Sequence, residues 1–219
     1  MKNLNRFFTL LVLFSIVMMT NCKKDDSSTT TATASKAFVN LTFNKVNAFF
    51  STNGSMSAPV DSTQAKAISS KIDITFIFNY DYTKPGFFDP KARAQQWYWD
   101  DYYAPWLNNA VETRYYSTSL TKAQFDAAKA DQTKIATYFA NTSVRLCHHG
   151  IFPNGSCIGG RQTQNDTASS VLLAMDVVFG FKNTASGKRG LLYIRTDQSY
   201  AWPTPLIDFN TKVDIIREN

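Results

Sequence analysis

The feature that most constrains the fold of this chain is the run Val171 to Lys182 (VLLAMDVVFGFK), followed closely by Gly190 to Thr196 (GLLYIRT). The first stretch is apolar on both faces, as a strand in the middle of a sheet would be. Asn183 to Lys188 reads as the turn that lets the second stretch pair back as a hairpin. Lys212 to Arg217 (KVDIIR) is another alternating strand, and Trp202-Pro203-Thr204-Pro205 breaks the pattern before it. Upstream, Val39, Leu41 and Phe43 alternate with Asn40, Thr42 and Asn44. Ile72, Ile74, Phe76, Phe78 and Tyr80 alternate in the same way with Asp73, Thr75, Ile77 and Asn79. A period of two places each set on one face of a half-buried strand. Asn53-Gly54 and Ala58-Pro59 read as turns between them. Phe87-Phe88, beside Lys84-Pro85-Gly86, reads as a loop tucked onto the core.

A helical region interrupts this pattern. Asp89-Pro90 is a helix start, with Asp as N-cap and Pro at the first helical position, and Lys91 to about Tyr103 is predicted helical up to Pro105. Thr121 and Gln124 fit a capping box. Phe125, Ala128, Ile135 and Phe139 then fall on one stripe, which predicts a single helix from about 122 to 140 with Lys122, Asp126, Lys129 and Lys134 outward. The expected fold is mainly β, a sandwich or barrel with a helical insertion at about 89–140. An α+β layer is the alternative.

Composition supports a folded chain. Of 219 residues, 44% are apolar and only 18% charged, which excludes intrinsic disorder and allows one sizeable core. The formal charge of +6 falls to +4 if the first 21 residues, carrying Lys2 and Arg6, are removed. The longest basic runs are two residues, Lys23-Lys24 and Lys188-Arg189, so no nucleic-acid partner is expected.

At the N-terminus, Lys2 and Arg6 precede an apolar core from Phe7 to Met19, too short to span a membrane, and Cys22 follows directly. This order resembles a bacterial lipoprotein signal. The resemblance implies cleavage before Cys22 and a diacylglycerol on its thiol. Cys22-Lys23-Lys24-Asp25-Asp26 further resembles the surface-export signal of Bacteroidetes-type outer-membrane lipoproteins. That implies a lipid-anchored protein exposed at the cell surface, held to outer-membrane lipid through Cys22. Ser27 to Ser35 (SSTTTATAS) has no large apolar residue and reads as a flexible tether. From Lys23 to Lys36 such a tether spans on the order of 20 Å r.m.s.. The expected organisation is therefore a signal peptide over 1–21, a lipidated cysteine and tether over 22–35, and one β-rich domain over 36–219.

Few residues suggest catalysis. Cys147 and Cys157 enclose a short Pro- and Gly-containing loop and read as a disulfide in an exported protein. A metal site from Cys147, His148, His149 and Cys157 is disfavoured, because adjacent histidines in extended chain point to opposite faces. No nucleophile elbow or phosphate loop occurs. Glutamate is confined to positions 112 and 218, and Asp100 and Asp101, neighbours on a predicted helix, point apart. No cofactor, metal or catalytic residue is expected. Asp61-Ser62-Thr63 and Asp166-Thr167-Ala168 resemble the three-residue O-glycosylation motif of Bacteroidetes-type exported proteins.

The most unusual feature is aromatic. Trp97, Tyr98, Trp99, Tyr102, Tyr103 and Trp106 fall within ten residues, with Tyr115 and Tyr116 nearby. Trp99, Tyr103 and Trp106 form a helical stripe that packing alone would explain. The others point elsewhere, as a ligand platform requires. Trp97, Trp99, Tyr102, Trp106, Asp100 and Asp101 are accordingly the candidate ligand-binding residues. The expected function is a surface-tethered, non-enzymatic binding lipoprotein whose ligand is a glycan or another cell-surface protein. Alternatives are a haem- or metal-capturing lipoprotein, a polysaccharide-active enzyme, and an architectural surface protein.

Overall fold

The computed structural model describes residues 32–79, 84–94, 103–141, 170–172, 176–195 and 210–219. Residues Ala32–Asn219 form one compact unit. Its fold is mainly β, built on two antiparallel sheets. The five-stranded sheet runs in the order β1 (Lys36–Phe43), β9 (Thr211–Arg217), β8 (Arg189–Ile194), β7 (Val177–Asn183), β5 (Thr113–Ser117). The four-stranded sheet runs β2 (Phe49–Phe50), β3 (Ile74–Asn79), β4 (Lys84–Phe88), β6 (Ser170–Leu172).

Alternation along the strands determines the layers. Phe43, Phe179, Phe181, Leu192, Ile194, Val213 and Ile215 meet Phe50, Ile74, Phe76 and Phe87 of the other sheet in one buried cluster. Phe43 sits at its centre, with ring centroids 5.1 Å from Phe87 and 5.9 Å from Phe76. Full burial of such a side chain contributes about 1.5–3 kcal/mol. The intervening residues, Val178, Leu191, Tyr193 and Ile216, face the other way and meet Phe125, Ala128 and Ile135. Helices α3 (Lys122–Ala130) and α4 (Thr133–Asn141) thus cover the outer face of the five-stranded sheet.

Several elements follow the sequence pattern. The β7–β8 hairpin pairs Val177 with Ile194 through to Lys182 with Arg189. Gly54 adopts φ 94° in the predicted turn. Asp89 caps α2 (Pro90–Arg93), and Thr121 and Gln124 form the capping box of α3.

Others depart from it, each for a local reason. In β1, Val39 is 46% exposed, while Phe38 packs edge-on against Phe50 at 5.1 Å. An extra residue between Phe38 and Leu41 makes a bulge with Asn40 at φ 57°, which inverts the alternation before it, while Leu41 and Phe43 are buried as the pattern predicts. At the start of β3 the polar set is buried too: Asp73, just before the strand, and Thr75 within it are 2% and 0% exposed. Lys84-Pro85-Gly86 is ladder, not loop, pairing with Ile77 to Asn79. The 122–140 helix is broken at Asp131, which is extended and whose carboxylate accepts from Thr133 N at 3.0 Å to restart the helix. The 171–182 run is divided between the two sheets as β6 and β7. The insertion at 89–140 is likewise not wholly helical, because β5 lies within it and pairs with β7.

The compact unit also begins before Lys36. Ser35 donates its N–H to Lys129 O at 3.0 Å and its hydroxyl to Ala128 O, and Gln132 N donates to Thr33 O at 2.9 Å. Composition predicted tether through Ser35. Ser35, through its N–H and hydroxyl on open carbonyls of the α3 C-terminus, and Thr33, through its carbonyl on Gln132 N, hold this apolar-poor segment instead.

Candidate functional site: the base of the aromatic segment

The aromatic segment joins the domain at two points held together. The first is α2, a single turn started by Asp89 and Pro90, with Lys91 N donating to Asp89 Oδ1 at 3.1 Å. The second is a 3-10 turn, Pro105–Leu107. Ala104 N donates to Arg93 O at 2.9 Å, so the departing and returning chain are bonded directly. Val111 N donates to Ile72 O at 2.9 Å, which fixes the return to the start of β3. Ala94, Ala104, Leu107 and Ala110 are buried beneath this junction.

One ring organises the junction. The Arg93 guanidinium lies 5.0 Å from the Phe49 ring centroid, and the Trp106 ring lies 5.1 Å from it. A guanidinium over an aromatic face is attracted by the ring quadrupole. Trp106 is half-buried and packs on the main core, so it anchors the segment before it can serve as a platform. Tyr103, 44% exposed, is the large aromatic that projects from the base. Tyr115 is fully buried core, and Tyr116 packs edge-on against Phe139 at 5.2 Å.

The remaining candidate positions lie outside the described residues: Cys22, Trp97, Trp99, Asp100, Asp101, Tyr102, Cys147, His148, His149 and Cys157. Asp61 of the first glycosylation-like triplet caps α1 (Ser62–Lys66), accepting from Gln64 N at 2.9 Å, and Ser62 and Thr63 are exposed. Among the described residues, no group of three His, Cys, Asp or Glu side chains could hold a metal ion. No helix among them is long and apolar enough to cross a membrane.

Two carboxylates prove to be interior: Asp73, which the alternation placed on the polar side of a strand, and Asp89, which the sequence marks only as an N-cap. Asp73 accepts from Thr52 N at 2.9 Å and from the Thr52 hydroxyl, with Arg217 Nη1 4.0 Å away. Asp89 accepts from Thr113 N at 3.0 Å as well as from Lys91 N. Thr113 links them: its hydroxyl donates to Asp73 O at 2.7 Å and accepts from Asn183 Nδ2 at 3.0 Å. Burial pushes both carboxyls up to about 6, against the hydrogen bonds that favour ionisation. Burial also raises the nearby Tyr115 hydroxyl well above its ordinary value, with Asp89 and Asp73 adding to the effect. Protein donors occupy these carboxylates, so their role is to tie β3, α2 and β5 beneath the aromatic segment. Asp73 sits in the polar half of an alternating strand, and its partner Arg217 is far along the chain, so no local signal marked it.

No family model matches this chain, and no curated protein matches it. It is similar to the solved structure of a DUF4466 family protein from Parabacteroides merdae. The TM-score is 0.45 at 10% sequence identity, covering 84% of this chain and 53% of the other. The chain therefore spans about half the length of that protein.

Proposed function

We propose that this protein is a non-enzymatic binding lipoprotein, anchored in the outer membrane through Cys22 and exposed at the cell surface. Its ligand is a glycan or another cell-surface protein. The reading of location rests on the resemblance of residues 1–26 to lipoprotein and surface-export signals. The domain is read as a β-sandwich, with Cys147 and Cys157 joined as a disulfide in the oxidising exterior.

The observation that carries the binding role is the base of the aromatic segment. The bond between Arg93 and Ala104, and the packing of Arg93 and Trp106 on Phe49, support a rigid mount for Trp97, Trp99, Tyr102 and Tyr103. Rigid support lowers the ordering cost of ligand binding. Aromatic faces stack on sugar rings, and Asp100 and Asp101 supply acceptors for hydroxyls.

Electrophoresis through gels containing soluble polysaccharides tests the ligand. Retardation that disappears in Trp97→Ala and Tyr103→Ala supports the platform, and unretarded migration in every polysaccharide opposes it. Labelling cells with a fatty-acid analogue tests the anchor, with incorporation expected in the native chain and absent in Cys22→Ala.

A further inference from the structure

One end of the five-stranded sheet carries more positive charge than its own carboxylates neutralise. Lys36 and Arg217 are direct partners across the β1–β9 ladder, where like charges oppose each other. Lys188 lies in the β7–β8 turn, two residues before Gly190, which is the ladder partner of Arg217 on its other side. Burial first, then Arg217 and Lys188, hold the Lys36 ammonium below its ordinary range, and Asp73 alone opposes them.

The carboxylates at this end are already engaged. Arg189 holds both oxygens of Glu218 at 2.7–3.1 Å. Each oxygen of Asp73 already accepts one bond, from Thr52 N or Thr52 Oγ1, and the carboxylate stands 4.0 Å from Arg217 Nη1. Arg217 Nη1 donates to Thr52 Oγ1 at 3.1 Å, but Arg217 Nε is buried with no acceptor among the described residues. Lys36 Nζ donates to Asn53 O at 2.6 Å and keeps two further N–H groups. A buried guanidinium N–H without an acceptor is costly and calls for an explanation. Here it stands beside surplus cations rather than beside an open carboxylate.

We propose that Lys36, Lys188 and the Arg217 guanidinium form a binding site for a phosphate-type oxyanion at the end of the sheet where β1 begins and β9 ends. Such an anion offers an oxygen to the open Nε, others to the two ammonium groups, and charge to a corner that lacks it. The residues just before β1 and just after β9 meet beside it, since Asn219 Nδ2 donates to Ala34 O at 2.8 Å. The oxyanion is therefore either free in solution or, if the chain is anchored at Cys22 as proposed above, the phosphate of a membrane headgroup. The oxyanion site itself stands without that anchor.

The test uses the chain from Lys23 to Asn219, which contains the whole compact unit. Melting is followed in sodium phosphate and in sodium chloride of matched ionic strength. The expected result is a saturable stabilisation by phosphate alone, with half-saturation raised about tenfold in the double variant Lys36→Gln, Lys188→Gln. Equal responses to the two salts, or an unchanged half-saturation in the variant, would overturn the site. If the double variant melts abnormally in chloride, Lys188→Gln alone decides by the same criterion. Co-sedimentation with vesicles of phosphatidylcholine, or of equimolar phosphatidylcholine and phosphatidylglycerol, assigns the source. Anionic vesicles that compete with phosphate indicate a headgroup, phosphate binding without them indicates a free anion, and binding of neither removes the proposal.

Discussion

The ring of Phe181 lies over Gly190, its partner across the β7–β8 ladder, so closely that a Cβ on Gly190 would stand 2.2 Å from the ring and 2.5 Å from Ile216 O. The glycine allows the fully buried Phe181 to reach across the hairpin into the space between the sheets. Gly190→Ala is predicted to destabilise by about 3 kcal/mol, because one of the obstructing atoms is backbone and cannot rotate away. Gly180→Ala is predicted to cost about 1 kcal/mol. Its nearest obstacle, at 2.8 Å, is the tip of the half-buried Phe139 ring, which can give way. Urea unfolding of the two variants compares them directly.

The two interior carboxylates give stability an unusual pH dependence. A carboxyl whose folded pKa stands above its unfolded value holds its proton more tightly when folded. Its contribution is therefore present in acid and lost as pH rises through the folded pKa. With Asp73 and Asp89 both pushed up to about 6, stability is predicted to fall between about pH 4 and pH 6, by about 3 kcal/mol per group, and to level above that. Asp89→Asn keeps the acceptor used by Lys91 N and Thr113 N and keeps a good N-cap, so it should remove about half of the fall. Denaturation midpoints measured across this range, for wild type and Asp89→Asn, test the sign and the assignment.

The β1 bulge depends on one residue. Asn40 is held at φ 57° while its N–H donates to Asp214 Oδ1 at 2.8 Å and its side chain bonds Arg195. A β-branched residue tolerates this conformation poorly, so Asn40→Val is predicted to cost about 2 kcal/mol. Asn40→Gly should cost under about 1 kcal/mol, because it loses only the side-chain bond. Thermal melts of both variants provide the measurement.

At the aromatic base, the two described aromatics should separate by role. Trp106→Ala removes the partner of Phe49 and is predicted to destabilise by about 2–3 kcal/mol. Tyr103→Ala removes an exposed ring and should change stability by less than about 0.5 kcal/mol. Chemical denaturation distinguishes them, and a large cost for Tyr103→Ala would show that ring to be structural.

Much of the sheet was readable in the sequence, and the failures have physical causes. The β7–β8 hairpin and β9 are readable because their apolar content and turn residues are local. In β1 the pattern marks Leu41 and Phe43 correctly and fails only at Val39, because a bulge adds a residue without changing the apolar pattern. The break between α3 and α4 was hidden because Phe125, Ala128 and Ile135 keep a continuous helical phase across Asp131. At the candidate site, the start of α2 at Asp89-Pro90 was visible, but the Arg93–Phe49–Trp106 junction was not, since Phe49 comes from a distant strand. Asp73 and Arg217 were unreadable for the same reason: a buried ion pair has no period.

The most direct test of the central claim, that the aromatic segment binds a ligand, is a thermal-shift screen of the chain from Lys23 onward against oligosaccharides, polysaccharides and haemin. A ligand that binds only the folded state stabilises by about 2.7 kcal/mol at a hundredfold excess over its dissociation constant. The account predicts that a glycan raises the melting temperature and that Trp97→Ala and Tyr103→Ala each abolish the rise. A rise with haemin alone, or a glycan effect that survives both substitutions, would contradict it.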